Sequence, residues 1–473
     1  MSPRRSLAVL VFLWVLQLAS PSGAEEARGE SPLSLDEVVA SAERSYPLFK
    51  AAELEQAIAT ADSLSAEGGF DVTWKTRGTV VPVGYYDSVR VESVVEKPTS
   101  LWGASAFAGW KLGTGDFASY DGRLQTLEYG ELRAGINVPL WRNGPIDRRR
   151  ANLQRAELGK DVATLSVAQQ RIELRRAAAH RYWAWVAAGR RLIIAKTLLK
   201  NVTDRDVVLR ARVEQGDLPP IERADNARAI EQRRSQVALG QRGVEQASIE
   251  LALFVRDASG KPAPVPPERM PSRFPDPPAD AGPGVGEEVA LALSRRPETR
   301  RLLLQLRQNQ VELDWAKNQM MPGIDVQLAG SQDLGRRIES RPDLSKPVFE
   351  VSLLLDIPLQ TRMMQGRADA ASATLGRLEQ QRTFTRDRIE ADIRDARSAL
   401  RGSRDRIEAT RREVKLALEL EDAERTRFEQ GDSTLLIVNI REQQSAEAEL
   451  REVDALLDYH RAVADWKAAR GDL

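Results

Sequence analysis

One long stretch of the sequence, Gly144 to Gln215, has no proline after Pro145, so no proline interrupts a helix there. Apolar residues recur in it every seven positions, at Leu158, Leu165, Ile172, Ala179, Val186 and Ile193. A second stretch has a four-three spacing, at Ile389, Ile393, Ala396, Leu400, Ser403, Ile407, Thr410, Val414 and Ala417. Both spacings predict coiled-coil seams. A helix of about 70 residues is ~100 Å long, which is more than a compact domain requires.

The two long stretches belong to two copies of one unit. The phrase RVEQGD at Arg212–Asp217 returns as RFEQGD at Arg427–Asp432. The flanks match in the same order, since INVPLWRNGPIDRRRA around Pro139 resembles LDIPLQTRMMQGRADA around Pro358. Repeated segments in a constant order indicate a duplicated structural unit.

The sequence divides into four predicted parts. Arg4 and Arg5, an apolar run and small residues ending at Ala24 have the order of a secretory signal peptide; an uncleaved anchor is the alternative, although the run is short for a bilayer. A proline-rich segment that cannot hold a helix separates the two copies. The parts are a signal peptide at 1–24, a first repeat at 25–259, a linker at 260–286 and a second repeat at 287–473.

The recurring EQGD phrase ends each long helix. Gly216 and Gly431 are residues that stop helices in the left-handed conformation, and Pro219 and Pro220 suit the first turn of a returning helix. Helical patterns follow at Ile221–Val255 and Leu435–Ala469. The phrase is therefore predicted to be the tip of a helical hairpin, and it occurs twice because there are two hairpins.

Each repeat also contains two segments with a period of two, which is typical of strands. Their apolar sets are Val72, Trp74 and Val80; Leu132, Ala134, Ile136, Val138 and Leu140; Ile324, Val326 and Leu328; and Phe349, Val351, Leu353, Leu355 and Ile357. Polar residues such as Asn137 and Ser352 alternate with them. Four such strands in an exported chain predict a barrel wall with lipid outside and water inside. Because four strands cannot enclose water, several chains must contribute.

Composition argues against several classes of function. The chain has 69 basic and 69 acidic residues, so no strong field marks a nucleic-acid binder. It has no cysteine, which excludes thiol catalysis and thiolate metal sites. His180 and His460 both lie in helical patterns, and no phosphate loop, nucleophile motif or metal-spaced cluster occurs. We therefore expect no enzyme activity and no cofactor.

The order helix, strand, loop, strand, long helix, glycine turn and helix, given twice, resembles the TolC-like outer-membrane efflux proteins. The resemblance runs from about Leu33 to Gly471, and its most specific segment is RRPETRRLLLQLRQNQVELDWAKNQMMPGIDV. Near the N-terminus, LSLDEVVASAERSYP also fits, with Ser34 and Glu37 predicted to form a capping box. The fold it implies is mainly α with transmembrane β. It also implies a homotrimer, with a 12-stranded β-barrel in the outer membrane continued by a long α-helical periplasmic barrel.

The family's function carries over as an expectation. The resemblance implies the exit duct of a tripartite efflux or type I secretion system. Such a duct passively conducts substrates delivered by an inner-membrane pump (RND or ABC type) through a periplasmic adaptor (membrane fusion protein). The alternative reading is a periplasmic coiled-coil adaptor or structural protein. Adaptors usually have one hairpin and no lipid-facing strands, so the strands in both halves favour the duct.

At the tips the family pattern of an arginine, an aromatic or apolar residue and a turn glycine matches this chain twice. The residues it implies for adaptor docking, with the turn acids, are Arg212, Val213, Gly216, Asp217, Arg427, Phe428, Gly431 and Asp432.

The chain departs from the family where an aspartate usually follows the second turn, because LLIVNI at Leu435–Ile440 contains no acid. An acidic periplasmic aperture would then be built from Glu222, Asp225, Glu429 and Asp432, or these are solvated turn acids. The family also leaves unexplained an excess of residues in the first copy that includes Trp102, Phe107, Trp110 and Tyr120. These residues either extend a barrel hairpin beyond the membrane or supply aromatics for its interface.

Overall fold

The computed structural model describes residues 31–117, 124–257, 259–278, 284–336 and 346–472. These residues form eight α-helices: α1 Leu35–Ser45, α2 Pro47–Glu67, α3 Arg148–Glu214, α4 Pro220–Ala252, α5 Val285–Arg295, α6 Pro297–Gln319, α7 Arg362–Gln430 and α8 Leu435–Arg470. They also form six strands: β1 Thr73–Val81, β2 Ser88–Pro98, β3 Ser105–Gly115, β4 Glu131–Pro139, β5 Gly323–Asp333 and β6 Val348–Asp356. The predicted signal peptide and Tyr120 lie outside these residues. None of the described helices combines the length and apolarity needed to cross a bilayer.

Side-chain caps fix where several helices begin. The Ser34 hydroxyl accepts the Glu37 amide N–H at 3.2 Å, which starts α1 as predicted. The other half of the expected capping box is replaced, because the Glu37 carboxylate binds Arg269 at 2.8 Å instead. A charged partner forms a stronger bond than a backbone amide, so the carboxylate turns outward. Asp147 caps α3 by accepting the amides of Arg149 and Arg150.

The helices recur in the same order in both halves. A short helix of 11 residues precedes Pro47 in the first half and Pro297 in the second, and in both halves proline opens the next helix. The long helices α3 and α7 have 67 and 69 residues, and their returning partners α4 and α8 have 33 and 36. This order is the one that a duplicated unit produces; the boundaries of the repeats at 25–259 and 287–473 remain a prediction.

Four helices, α2, α3, α6 and α7, continue from one end of the sheet and pack side by side as a layer. In that layer α2 packs on α3, α3 on α6 and α6 on α7, while α4 and α8 pair with the far ends of α3 and α7. The largest buried cluster gathers where α1, α3 and α8 meet, around Trp185, Tyr182 and Val453. Within it the Tyr182 hydroxyl donates to the Leu33 carbonyl at 2.8 Å, so the N-terminal segment is bonded to the middle of α3.

The predicted seam residues are buried in α7, whereas in α3 the buried position shifts away from the predicted one. In α7, Ile389, Ile393 and Ile407 are buried as expected. In α3, Ile193 is 46% exposed and its neighbour Ile194 is 5% exposed. A strict seven-residue count falls behind an α-helix by about 20° per heptad, which over several heptads moves the contact to the next residue.

The strands form one antiparallel sheet in the order β1-β2-β3-β4-β5-β6. Four of them, β1, β4, β5 and β6, are the four predicted strands. The prediction of two strands in the first repeat is wrong, because the surplus residues there add the hairpin β2–β3 between β1 and β4. Three chains of six strands would supply eighteen strands, so a 12-stranded barrel no longer follows from a trimer.

The added hairpin contains three of the surplus aromatic residues. Trp102 lies in the β2–β3 turn with φ +48°, at the end of the sheet next to the helices. Phe107 and Trp110 lie in β3 and project to opposite faces of the sheet. The Trp110 indole donates to the Tyr129 carbonyl at 2.8 Å. Phe107 and Trp110 therefore belong to the sheet itself, and Trp102 belongs to the turn that joins β2 to β3.

Residues 259–278, which include most of the linker predicted at 260–286, are packed against the helices. They contain one 3-10 turn at Pro267–Arg269 and no α-helix. Val265 and Phe274 are 4% and 7% exposed. The Phe274 ring stacks on Trp183 with centroids 5.7 Å apart. We refer to residues 259–278 as the strap.

Candidate functional site: hairpin tips and a two-faced sheet

Both hairpins reverse through the same turn. Gly216 has φ +83° and Gly431 has φ +86°, the left-handed conformation predicted for them. In the first tip the amide of Asp217 donates to the carbonyl of Arg212 at 2.9 Å, and the equivalent bond in the second tip has the same length. The glycine amide also donates to the carbonyl three residues earlier in both tips, at 3.1 Å. The two EQGD phrases therefore encode one turn geometry.

The residues predicted to dock an adaptor surround these turns. Val213 and Phe428 are half-buried, and Asp217 and Asp432 are exposed. Arg212 is half-buried. The docking role of this set remains a prediction.

Arg427 in the second tip is exposed, yet it already has partners. Its guanidinium lies 3.4 Å from the Glu424 carboxylate and donates to the Asp432 carbonyl at 3.2 Å. Glu424 is 7% exposed and also accepts the Ser433 hydroxyl. The side chain of Arg427 therefore has a defined position beside the turn.

The acids proposed for an aperture divide between the two tips. Glu222 lies in the first turn of α4, and Asp225 forms an ion pair at 3.1 Å with Arg228 on the same helix. Glu429 and Asp432 are exposed at the second tip. Their role as an aperture remains a prediction.

A buried group of charges above the tips was not predicted from the sequence. Glu442 on α8 is 1% exposed and forms an ion pair with Arg205 on α3. Arg205 also donates to Asn439 at 2.6 Å, and Arg425 on α7 approaches Glu442 at 3.5 Å. Arg233 on α4 is buried nearby, and this burial lowers its pKa while the Glu442 charge opposes that effect.

The same group extends to Glu421, which accepts Arg425 at 3.1 Å and also the Ser445 hydroxyl. We call Arg205, Arg425, Glu421 and Glu442 the interhelical ion cluster. Because its members lie on α3, α7 and α8, it joins the first hairpin to the second close to both tips. Buried charges held by several partners fix relative helix positions, since separating them leaves a charge unpaired.

A signal for part of this cluster was present in the sequence. The four-three spacing of α7, continued beyond Ala417, reaches Glu421 and then Glu424, and both are buried. Charged residues at seam positions need partners from the facing helix. The spacing alone could not name those partners, because it carries no information on which helix lies opposite.

The sheet has one charged face. Cross-strand pairing places Arg77, Glu92, Lys111, Glu131 and Asp333 directly opposite one another in a single row. Signs alternate along the first four positions, and Lys111 lies 2.5 Å from Glu131. Opposite charges at facing positions stabilise a sheet by roughly 0.2–1 kcal/mol a pair.

Aromatic packing also occurs on this charged face. The Phe107 ring faces Gly135 on the neighbouring strand, where a β-carbon would lie 2.7 Å from the ring. The Arg133 guanidinium lies 5.8 Å from the centre of that ring and 3.5 Å from Glu350. The face is thus polar but tightly ordered.

The opposite face is apolar. One row joins Phe349, Gly330, Ala134, Ala108, Val95 and Trp74 in facing positions. The next row includes Ile136, Leu328 and Val351. Phe349 and Trp74 are 74% and 76% exposed. A wide apolar surface that one chain leaves uncovered is a contact surface for lipid or protein.

The two histidines have structural surroundings. His180 Nε2 lies 2.9 Å from Asp465, which joins α3 to α8. His460 stacks on Trp183 with centroids 4.0 Å apart and bonds the Pro275 carbonyl of the strap at 3.3 Å. Burial lowers the pKa of His460 to about 4.

A sheet with one charged and one apolar face lies at one end of two long helical hairpins, and this combination defines a class of protein fold. It is the fold of the TolC-like outer-membrane channels, so the resemblance deduced from the sequence is confirmed at the level of the fold.

Three solved structures illustrate the likeness. A membrane protein from Pseudomonas aeruginosa is 16% identical with a TM-score of 0.67, covering 92% of this chain and 93% of its own. The outer membrane protein VceC from Vibrio cholerae is 14% identical with a TM-score of 0.66, covering 92% and 96%. The open state of the MtrE outer membrane channel of Neisseria gonorrhoeae is 17% identical with a TM-score of 0.65, covering 92% and 88%. No profile of a known protein family matches the sequence, and no curated protein matches it.

Proposed function

We propose that this chain forms an outer-membrane channel that serves as the exit duct of an export system. The observation that carries the proposal is the two-faced sheet, which continues directly into helices about 100 Å long. Its apolar face suits lipid and its charged face suits a water-filled lumen. The outer membrane of a Gram-negative bacterium, with the hairpins in the periplasm, is the location that this arrangement fits.

The duct would work as a homotrimer and conduct substrates passively. An inner-membrane pump supplies the energy, and a periplasmic adaptor docks on the hairpin tips. The identical turns at Gly216 and Gly431 support a docking role, because a partner that binds one tip meets the same backbone at the other. The fold it shares with outer-membrane channels supports a transport role over catalysis.

Reconstitution tests this function. The purified protein, added to a planar lipid bilayer in detergent, is expected to give stepwise ionic currents, and the cellular protein is expected in the outer-membrane fraction. Heat-unfolded protein in the same detergent is the control for currents caused by detergent. Recovery of the protein from the periplasm without detergent, with no current in the bilayer, would overturn the proposal and favour a periplasmic adaptor.

A further inference from the structure

The sheet has two open edges that require partners. Among the described strands, β1 pairs with β2 and β6 pairs with β5, so each edge strand has one neighbour. Both strands are nine residues long and largely exposed. An open edge of this length in an exported chain has unpaired amides and carbonyls, which another strand must satisfy inside a bilayer.

A second copy of the chain fits these edges in direction. Strand β1 runs away from the helices that precede it, and β6 runs back towards the helix that follows it. Strand β6 of one copy, placed beside β1 of the next, is therefore antiparallel, like the other neighbours in the sheet. Contacts of this head-to-tail kind repeat around a ring and leave no edge.

The charges on the two edge strands are complementary. On the charged face, β1 contains Lys75 and Arg77, and β6 contains Glu350 and Asp356. The side chains of Lys75 and Glu350 are 71% and 50% exposed, although Lys75 already pairs with Glu96 at 3.2 Å and Glu350 with Arg133 at 3.5 Å. Glu350 also accepts the Ser352 hydroxyl at 2.8 Å. A β6–β1 contact places acids opposite bases, whereas β1–β1 and β6–β6 contacts place like charges together.

The width of the sheet matches the helices beneath it. Strands about 4.8 Å apart and tilted by about 40° each occupy about 6 Å of a barrel's circumference, so six strands span about 38 Å and four about 25 Å. Four helices packed side by side at about 9 Å span about 36 Å. The layer α2, α3, α6 and α7 is therefore as wide as a six-stranded sheet.

We propose that three copies close an eighteen-stranded wall in which the hairpin β2–β3 is part of the barrel and lines its lumen. This inference rests on the proposed trimeric channel. Barrel diameter grows about linearly with strand number, so the lumen is about one and a half times as wide as a 12-stranded wall allows. Glu92 on β2 and Lys111 on β3 project into it, and the row of charges to which they belong recurs in each copy.

Single cysteines test whether the hairpin lines the lumen, because the native chain has none. Glu92→Cys and Lys111→Cys are placed on the charged face, with Ser93→Cys and Leu112→Cys as controls on the other face. Each protein is reconstituted in a planar bilayer, and a charged, membrane-impermeant thiol reagent is added. The current is expected to change for the first pair and to stay constant for the second. An identical response from both pairs would overturn the eighteen-stranded wall.

Paired cysteines test which strands meet between copies. Thr76→Cys on β1 is combined in turn with Val351→Cys, Leu353→Cys or Leu355→Cys on β6, and the protein is oxidised in the membrane. At least one combination is expected to give a covalent ladder that ends at three chains. Val91→Cys on β2 replaces Thr76→Cys as the control and is expected to give none, because β1 separates it from the edge. A ladder that ends at two chains would indicate twelve strands and overturn the inference.

The two proposals fail differently. A conducting trimer whose cysteines on β2 and β3 leave the current unchanged would overturn the eighteen-stranded wall and leave the channel function in place. Neither a trimer nor a current would overturn the channel function, and the wall with it.

Discussion

Gly216 and Gly431 have backbone angles that a residue with a β-carbon adopts at a cost of about 1–2 kcal/mol. A β-carbon at either position would meet no atom within 4 Å, so backbone strain accounts for the whole penalty within one chain. The arms remain stable because their contacts are spread along 67 and 69 residues. A substitution here therefore alters the tip without unfolding the hairpin.

We expect the double variant Gly216→Val with Gly431→Val to form membrane-inserted trimers that no longer export. Outer-membrane level, trimer content and efflux of a fluorescent dye are measured together. Gly402→Val is the matched control, because Gly402 lies in α7, has no positive φ and has equally open surroundings. Efflux at the parental rate would mean that the tips are connectors only, and loss of the trimer would mean that they act in folding.

His460 makes stability depend on pH. Its folded pKa of about 4 lies below the ordinary value of 6.5, so the unfolded chain takes up the proton first as pH falls. The neutral histidine contributes at most about 3 kcal/mol to the free energy of unfolding. This contribution is complete above pH 6.5 and is lost as the pH falls from 6.5 to 4.

We expect His460→Phe to keep the stack on Trp183 and Phe274 while removing this part of the pH dependence. Melting temperatures of both proteins in detergent, from pH 7 to pH 4.5, provide the comparison, and the parent should fall more steeply. Carboxylates titrate in both proteins, so the difference between the two curves isolates the histidine. Parallel curves would contradict the assignment.

The two faces of strand β6 are expected to respond differently to an arginine substitution. Val351→Arg on β6 is expected to reduce assembled protein in the outer membrane, because an arginine at the lipid face costs about 2–4 kcal/mol near the bilayer midplane. Ser352→Arg, one residue along on the charged face, is expected to assemble normally. Ile136→Arg and Asn137→Arg form an equivalent pair on β4. Equal effects on both faces would show that the apolar face does not meet lipid.

The interhelical ion cluster joins α3, α7 and α8. Removing one member of its central ion pair is expected to destabilise the protein more than removing both members. Glu442→Leu leaves the Arg205 guanidinium, whose side chain is 12% exposed, without its carboxylate. Removing one partner of a buried ion pair costs about 3–5 kcal/mol, and the remaining bond to Asn439 places this variant at the lower end of that range. The double variant Arg205→Met with Glu442→Leu is expected to be more stable than Glu442→Leu alone. Chemical denaturation of the purified protein measures both. A double variant as unstable as the sum of the singles would show that the two side chains act independently.

The strands β6 and β3 show what the sequence could and could not predict. Strand β6 alternates large apolar residues with polar ones, whereas β3 has Ala106 and Ala108 on its apolar face and glycines on the other. Small residues give little contrast between faces, and glycine lowers strand propensity. What stabilises β3 is its neighbours, such as Gly135 beneath the Phe107 ring, and such pairing cannot be deduced from one segment.

For the whole molecule, the turn glycines and both hairpins were predictable because their signals are local. The interhelical ion cluster was not, since Arg205 and Glu442 are 237 residues apart. The number of copies is likewise absent from one chain, and closure of the open edges is the argument for it.

We expect the protein to be a trimer in mild detergent. Light scattering, with the detergent contribution subtracted, is expected to give three times the mass of the chain. The trimer should resist dilution, because dissociation would expose two strand edges per copy. A stable monomer under these conditions would contradict ring closure.

The strap has a consequence for the order in which the chain folds after export. The Leu33 amide donates to the Arg269 carbonyl at 2.8 Å, and Glu37 finds its cation on the same residue. The contacts of helix α1 are therefore complete only when a segment more than 230 residues later in the chain has packed against it. Contacts this distant in sequence form slowly and leave apolar surface exposed meanwhile. We therefore expect the N-terminal segment to complete its packing only after the strap has left the inner membrane and folded against it.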